Sequence, residues 1–206
     1  MDQYAESKRV GAVSEVTLIT PIKPGRIPGE YRTYRRRLEN VLDSVQNREA
    51  QDIPTPIRVI KTIHYARWVI HEPKGGRPEL IFTSNFDGDM KHYFRTFSLT
   101  MPDMIDRVWQ NCEGYPEDGA KEFEQLWRYV KKYQVTSRAF YSAYRGLTVS
   151  QIHLLAALKA KYDARLAELH RDRHHSNDTA MLDTLTQMLL EVQGPFRSGP
   201  VAAEGD

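Results

Sequence analysis

The chain has 206 residues, one cysteine and a formal net charge of +2, from 29 Lys and Arg against 27 Asp and Glu. That length suits one full core, or one domain plus a helical extension, and the near-balanced charge excludes a dedicated polyanion binder while leaving room for a local basic patch. A lone thiol forms no internal disulfide, no apolar run reaches the roughly 18 residues of a membrane span, and Met1-Asp2-Gln3-Tyr4 offers no signal-peptide core, so the expected setting is cytoplasmic with no membrane contact.

Residues 1–13 are polar and are expected to be disordered. Val16 to Ile22 reads as a first strand, ended by Lys23-Pro24-Gly25. From Gly29 to about Arg48, Tyr31, Tyr34, Leu38, Val41, Leu42 and Val45 recur at helical spacing. A proline-bounded link over Asp52 to Pro56 follows. Ile63 to Ile70 and Leu80 to Asp87 are rich in β-branched and aromatic residues, and the loop between them carries Pro73, Gly75, Gly76 and Pro78, which predicts a hairpin. A helix is then expected from Asp89 to Phe97.

Thr100-Met101-Pro102-Asp103 has capping-box spacing and a proline suited to a first turn, which predicts a helix to about Asn111 with Ile105, Val108, Trp109 and Cys112 on its apolar stripe. The cysteine continues that stripe and reads as buried and structural. Glu113-Gly114-Tyr115-Pro116 stops the helix, and Phe123, Leu126, Trp127 and Val130 mark the next. Ser137 to Arg145, closed by Gly146, is the last strand candidate. Thr148 with Gln151 opens a long helix through Ile152, Leu155, Leu158, Tyr162, Leu166 and Leu169, and a final helix carries Met181, Leu182, Leu185, Leu189 and Val192 up to Gly194-Pro195.

This order predicts an α+β fold of the ferredoxin-like βαββαβ type over 14–147, an antiparallel sheet with helices on one face, then a helical extension over 148–194 and a disordered tail over 195–206. A sheet with one uncovered face calls for a partner, the extension or a ligand, and a homodimer or higher homo-oligomer is the expected partner.

Strand alternation assigns faces. Leu80, Phe82, Ser84 and Phe86 share the helix-packed side, and Ile81, Thr83, Asn85 and Asp87 the other. Arg67 is costly in a core, which places Ile63, Tyr65, Arg67 and Val69 on the open face and His64 opposite them with Ala66 and Trp68. Tyr65, Arg67, Thr83, Asn85 and Asp87 thus form a donor-rich cluster suited to an anionic or carbonyl-bearing ligand. The competing interpretation is structural: Arg67 pairs with a carboxylate at a dimer interface, and Asp87 caps the following helix. His64 is either a satisfied core histidine or a general base at a strand end.

The segments His64-Tyr65-Ala66-Arg67-Trp68, Leu80 to Gly88 and Cys112-Glu113-Gly114-Tyr115-Pro116 resemble bacterial proteins near the dimeric α+β-barrel superfamily, which includes the dye-decolorising peroxidases and chlorite dismutases. The resemblance covers about residues 14–150. It implies a ferredoxin-like domain, haem as a cofactor and an oxidoreductase-like activity. Ser84-Asn85-Phe86-Asp87-Gly88 is similar to the peroxidase Gly-x-x-Asp-Gly motif without its first glycine, which would make Asp87 the catalytic aspartate. With Arg67 and His64 it completes the catalytic candidates, Tyr65, Thr83 and Asn85 being the ligand-binding ones. His64 and His153 are the nominal haem ligands. The peroxidases use two such domains per chain, whereas this chain has one. The alternative function is a non-catalytic oligomeric binding or scaffold protein.

Two weaker clusters complete the reading. His170, His174, His175 and Asp178 fall near a helix end, where histidines suit the negative dipole end better than a metal site. Arg26, Arg32, Arg35, Arg36 and Arg37 are interleaved with Tyr31 and Tyr34; since both tyrosines fall on the predicted stripe, the arginines are the wet face of the helix rather than a nucleic-acid contact.

Overall fold

The computed structural model of the chain describes residues 7–171 and, beyond them, Leu182, Asp183, Thr186, Gln187 and Leu190. The chain divides into two compact units, Met1–Val149 and Ser150–Asp206. The first unit carries a four-stranded antiparallel sheet: β1 (Arg9–Val10), β2 (Val13–Pro21), β3 (Ile63–His71) and β4 (Glu79–Asp87), in the spatial order β1-β2-β4-β3. Helix α1 (Tyr34–Ala50) follows β2, and α2 (Met90–Thr100), α3 (Pro102–Trp109) and α4 (Phe123–Tyr133) follow β4; α5 (Val149–Arg171) starts at the unit boundary.

The alternation read from β4 holds throughout. Leu80, Phe82, Ser84 and Phe86 are buried, and the residues between them are only partly covered. Phe82 packs against Trp68 and Trp109, and Phe86 stacks on Tyr93 of α2 at 3.9 Å between centroids. Val16, Leu18, Leu38, Phe94, Phe97, Ile105, Val108, Leu126 and Val130 complete one core on that side of the sheet. Cys112 is fully enclosed there, and burial pushes its thiol up to about 11.

The fold is therefore α+β, but the expected βαββαβ strand order is not what forms. Ser137 to Arg145 is irregular, with Tyr141 and Tyr144 exposed, because β2 has no free edge to offer a long strand. That edge is shared out in pieces. β1 pairs with Val13 and Ser14, Val135 N–H donates to Thr17 O, and Glu113 N–H donates to Pro21 O. β1 itself corrects the expectation of disorder over the whole of 1–13, since its tight turn at Gly11, φ +65°, brings Arg9–Val10 back along β2.

Three further differences concern the helices. Tyr31 precedes α1 and is 95% exposed, so it is no part of the apolar stripe; Thr33 is the N-cap and accepts from Arg36 N–H. Thr100 ends α2, its hydroxyl donating to Thr96 O, and does not cap α3. On α5, Ile152, Leu155, Leu158 and Leu166 are half-buried while Tyr162 is exposed. The expected last helix, apart from the isolated residues above, lies outside the described residues, as does the 195–206 tail. Among the described residues no helix is long and apolar enough to cross a membrane.

Candidate functional site

β4 presents Thr83, Asn85 and Asp87 on the face turned away from the helices, and the ladder sets neighbours beside each. Thr17 and Arg67 flank Thr83, and Glu15 and Tyr65 flank Asn85. Rows two residues apart on a strand are about 7 Å apart, so these groups span a small molecule's length. Tyr65 is 74% exposed. Arg67 is exposed too and has no hydrogen-bond, ion-pair or ring partner among the described residues. The structure thus brings together Tyr65, Arg67, Thr83 and Asn85 as the alternation predicts.

The other end of this face is organised differently. A bulge between Ile63 and Tyr65 pairs Ile63 with Phe86 and Tyr65 with Asn85, leaving His64 as the extra residue. Ile63 thereby joins the core instead of the open face. His64 does not lie in the core row with Ala66 and Trp68; its Nε2 sits 2.8 Å from Asp87 Oδ1, with both side chains largely buried. The second carboxylate oxygen, Oδ2, accepts the Val149 N–H at 2.9 Å, at the first residue of α5. Asp87 therefore does not cap the helix that follows it. Gly88, φ +88°, turns the chain, and Asp89 caps α2 by accepting His92 N–H at 2.9 Å.

Glu15 is the residue that sequence reading passes over. The predicted strand begins at Val16, whereas β2 begins at Val13, and alternation run back two places puts Glu15 beside Asn85. It is 6% exposed and has no side-chain partner among the described residues.

The segment Cys112-Glu113-Gly114-Tyr115-Pro116 proves to be a structural turn. Asp106 Oδ1 accepts both the Tyr115 hydroxyl at 2.6 Å and Ala120 N–H at 2.7 Å, which wraps the turn around the end of α3. Burial, then the Asp106 carboxylate, pushes the Tyr115 phenol far up. The arginines of α1 are equally committed: Arg35 and Arg36 bind Glu39, Arg35 also pairs with Glu72, and Arg37 donates to Asn111 Oδ1 at 2.7 Å. The Arg36 hydrogen bond, opposed by some burial, holds the Glu39 carboxyl below its ordinary range. This accounts for the row as a solvated, internally matched helix face.

Among the described residues the two nominal haem ligands are placed differently: His64 has Nε2 tied to Asp87 in a largely buried pair, and His153 is exposed on α5. The cleft of about 560 Å³ beside β3 is lined by Glu39, Asp43, Glu49 and Arg67 and by no histidine. A peroxidase-like aspartate also needs a free carboxylate oxygen, and both of Asp87's are engaged. Among the described residues no group of three or more His, Cys, Asp or Glu could hold a metal ion. The side chains of His170, His174, His175 and Asp178 lie outside the described residues. No family model matches the chain, and no curated protein or solved structure matches it either.

Proposed function

We propose that the first unit is a small-molecule binding module that holds an anionic or carbonyl-bearing ligand on the open face of the sheet. The single observation that carries this is Arg67, a guanidinium without a partner among the described residues, in file with the hydroxyls of Thr83 and Thr17. The arginines of α1 are matched by carboxylates or an amide, so they offer less to an incoming anion. A guanidinium takes a carboxylate or oxyanion in a two-point fork, and neighbouring hydroxyls and the Asn85 amide supply the remaining hydrogen bonds. Tyr65 adds an aromatic wall with a polar tip.

A second reading, an oxidoreductase-like or other proton-moving activity on the same ligand, draws its support from the His64 and Asp87 pair. A carboxylate on Nε2 fixes the ring and favours protonation there, and no described residue takes Nδ1. Nδ1 is then the atom that would accept a proton from a bound ligand. In this reading Asp87 is a positioning residue, and Arg67 anchors the ligand.

Ligand-observed NMR with a panel of small carboxylates, oxyanions and ketones tests both readings. The expected result is a set of binders that Arg67→Ala weakens at least about tenfold with an unchanged melting temperature, since an exposed replacement off the core costs little stability. Binders indifferent to Arg67→Ala, or no binders and a dimer mass in sedimentation, overturn the ligand reading in favour of a scaffold whose open face meets another copy. His64→Gln that keeps binding but abolishes turnover supports the proton-moving reading; turnover unchanged by His64→Gln removes it.

A further inference from the structure

We propose that the ligand of the open sheet face is zwitterionic, an ω-amino acid whose ammonium end is taken by Glu15 and whose carboxylate end is taken by Arg67, an inference that rests on that face being a ligand site. Glu15 carries it. Its register beside Asn85 puts it on the face turned away from the helices, one row from Thr17, and it is 6% exposed. The chain entering β1 runs along its outer side, where Lys8 O accepts Glu15 N–H at 3.0 Å. No lysine, arginine or hydrogen-bond donor meets its carboxylate among the described residues. A carboxylate buried to this extent without a partner is costly, and a cation brought by a ligand offsets that cost. The group is also within reach of solvent. Among the described residues, the enclosed side-chain atoms without a partner are Trp68 Nε1, Trp109 Nε1, Tyr129 OH and Gln134 Oε1, and neither Glu15 oxygen is one of them. Asp87, one row along, has both oxygens engaged and does not compete for this role.

The ladder sets the length of the molecule. Glu15 lies in the row with Asn85 and Tyr65, and Arg67 lies in the row with Thr83 and Thr17, with β4 between their strands. A strand spacing of about 4.8 Å and a row spacing of about 7 Å put the two Cα atoms about 12 Å apart. Side chains stand roughly perpendicular to a sheet, and charge-assisted contacts of about 3 Å at each end leave about 6 Å between the ligand's ammonium and carboxylate. That matches a chain of about four methylenes and excludes an α-amino acid, whose charged groups flank a single carbon. Thr83 and Asn85 lie between the two ends, and the exposed Tyr65 ring gives the methylenes an aromatic side. Arg67 also borders the cleft toward α1, but no carboxylate there pairs with it among the described residues.

Isothermal titration calorimetry on the full chain with δ-aminovalerate, valerate, pentylamine and glycine tests this. The expected result is δ-aminovalerate binding at least about tenfold tighter than valerate or pentylamine, with glycine weaker still. Glu15→Gln should bring δ-aminovalerate down to the affinity of valerate and leave valerate binding no weaker, whereas Arg67→Ala weakens both. Glu15→Gln also removes a buried charge that has no partner, so its melting temperature should not fall. Glu15→Asp, shorter by a methylene, should shift the preference toward ε-aminocaproate. Valerate binding as tightly as δ-aminovalerate, or a preference for δ-aminovalerate that survives Glu15→Gln, overturns the zwitterion and leaves the anion site at Arg67 standing. Glycine binding as well as δ-aminovalerate overturns the length. A clear fall in the melting temperature of Glu15→Gln means that the carboxylate already has a partner in the fold, and it overturns the proposal too. Binding of none of the four overturns it as well; another carboxylate, oxyanion or ketone held through Arg67 would then keep the ligand site, and the lack of any such binder would remove the site with it.

Discussion

His64 and Asp87 face each other at 2.8 Å across a β-bulge, and the same carboxylate holds the backbone of Val149 at 2.9 Å. One side chain thus ties the end of β4 to the bulged start of β3 and to the backbone of Val149. Replacing Asp87 by Asn keeps the volume but leaves one acceptor oxygen where two are used. If that oxygen stays on Val149, the amide nitrogen faces His64, which must then present a bare Nε2. Asp87→Asn is expected to lower stability by about 1–2 kcal/mol, a fall of roughly 2–8 °C in melting temperature, and Asp87→Ala to cost more because the buried partners are left unpaired. Thermal melts by circular dichroism decide it; unchanged melts for both variants would show that neither contact contributes.

Legibility from sequence followed how locally each feature is determined. Period-two alternation from Leu80 to Asp87 reports a half-buried strand directly, and the faces of β4 follow from it without further information. The bulge leaves no such mark: His64 is neither glycine nor proline, yet one extra residue sends Ile63 to the core and His64 to Asp87. Ser137 to Arg145 has strand-like residues but no strand, since pairing depends on whether another strand's edge is vacant, and β2's is already taken. Asp87 and Asp89 lie two apart at a strand-to-helix junction, and propensity alone does not choose between them; the geometry makes Asp89 the cap.

Gly11 is where the irregular return segment meets the sheet. A Cβ at this position would overlap the Arg145 carbonyl, the same carbonyl that accepts Ala12 N–H at 3.0 Å. Gly25 is the matched control, with φ +77° against +65° and nothing within 4 Å of a built Cβ. Both alanine variants carry the left-handed backbone cost of about 1–2 kcal/mol. Only Gly11→Ala adds the clash, so it should melt clearly below Gly25→Ala. Equal melts would mean that the segment near Arg145 yields without cost.

Asp106 stabilises the turn after α3 by accepting two donors on one oxygen. Asp106→Ala leaves the Tyr115 hydroxyl and Ala120 N–H without that acceptor and is expected to cost about 2–4 kcal/mol, against about 1 kcal/mol for Tyr115→Phe, which removes its own donor together with the bond. The double variant should cost less than the sum, because the pair shares one interaction. Urea melts of the four proteins measure the coupling, and strict additivity would sink the account of the turn.

Cys112 gives the pH dependence with a definite sign. Its thiol titrates at about 11 when folded, from an ordinary value of 9.0, because burial disfavours the thiolate. Below about pH 8 both states keep the proton and the group contributes almost nothing to the slope. Between 9 and 11 the unfolded chain loses its proton while the folded chain retains it, so the unfolded state binds fewer protons and stability falls as pH rises. The full fall is about 2–3 kcal/mol once pH passes the folded value. The buried phenols of Tyr93, Tyr115 and Tyr129 are also raised, and their contribution to the slope grows from about pH 9 and is half-developed at pH 10, the ordinary tyrosine value. Those phenols are the same in Cys112→Ala, so the difference between the two proteins isolates the thiol. Urea unfolding from about pH 9 to 10 should show declining stability in the parent chain and a flatter profile in Cys112→Ala, whatever that variant's absolute loss from the missing sulfur. Rapid alkylation of the native thiol by iodoacetamide at pH 8, or identical pH slopes in the two proteins, would contradict a thiol held neutral by burial.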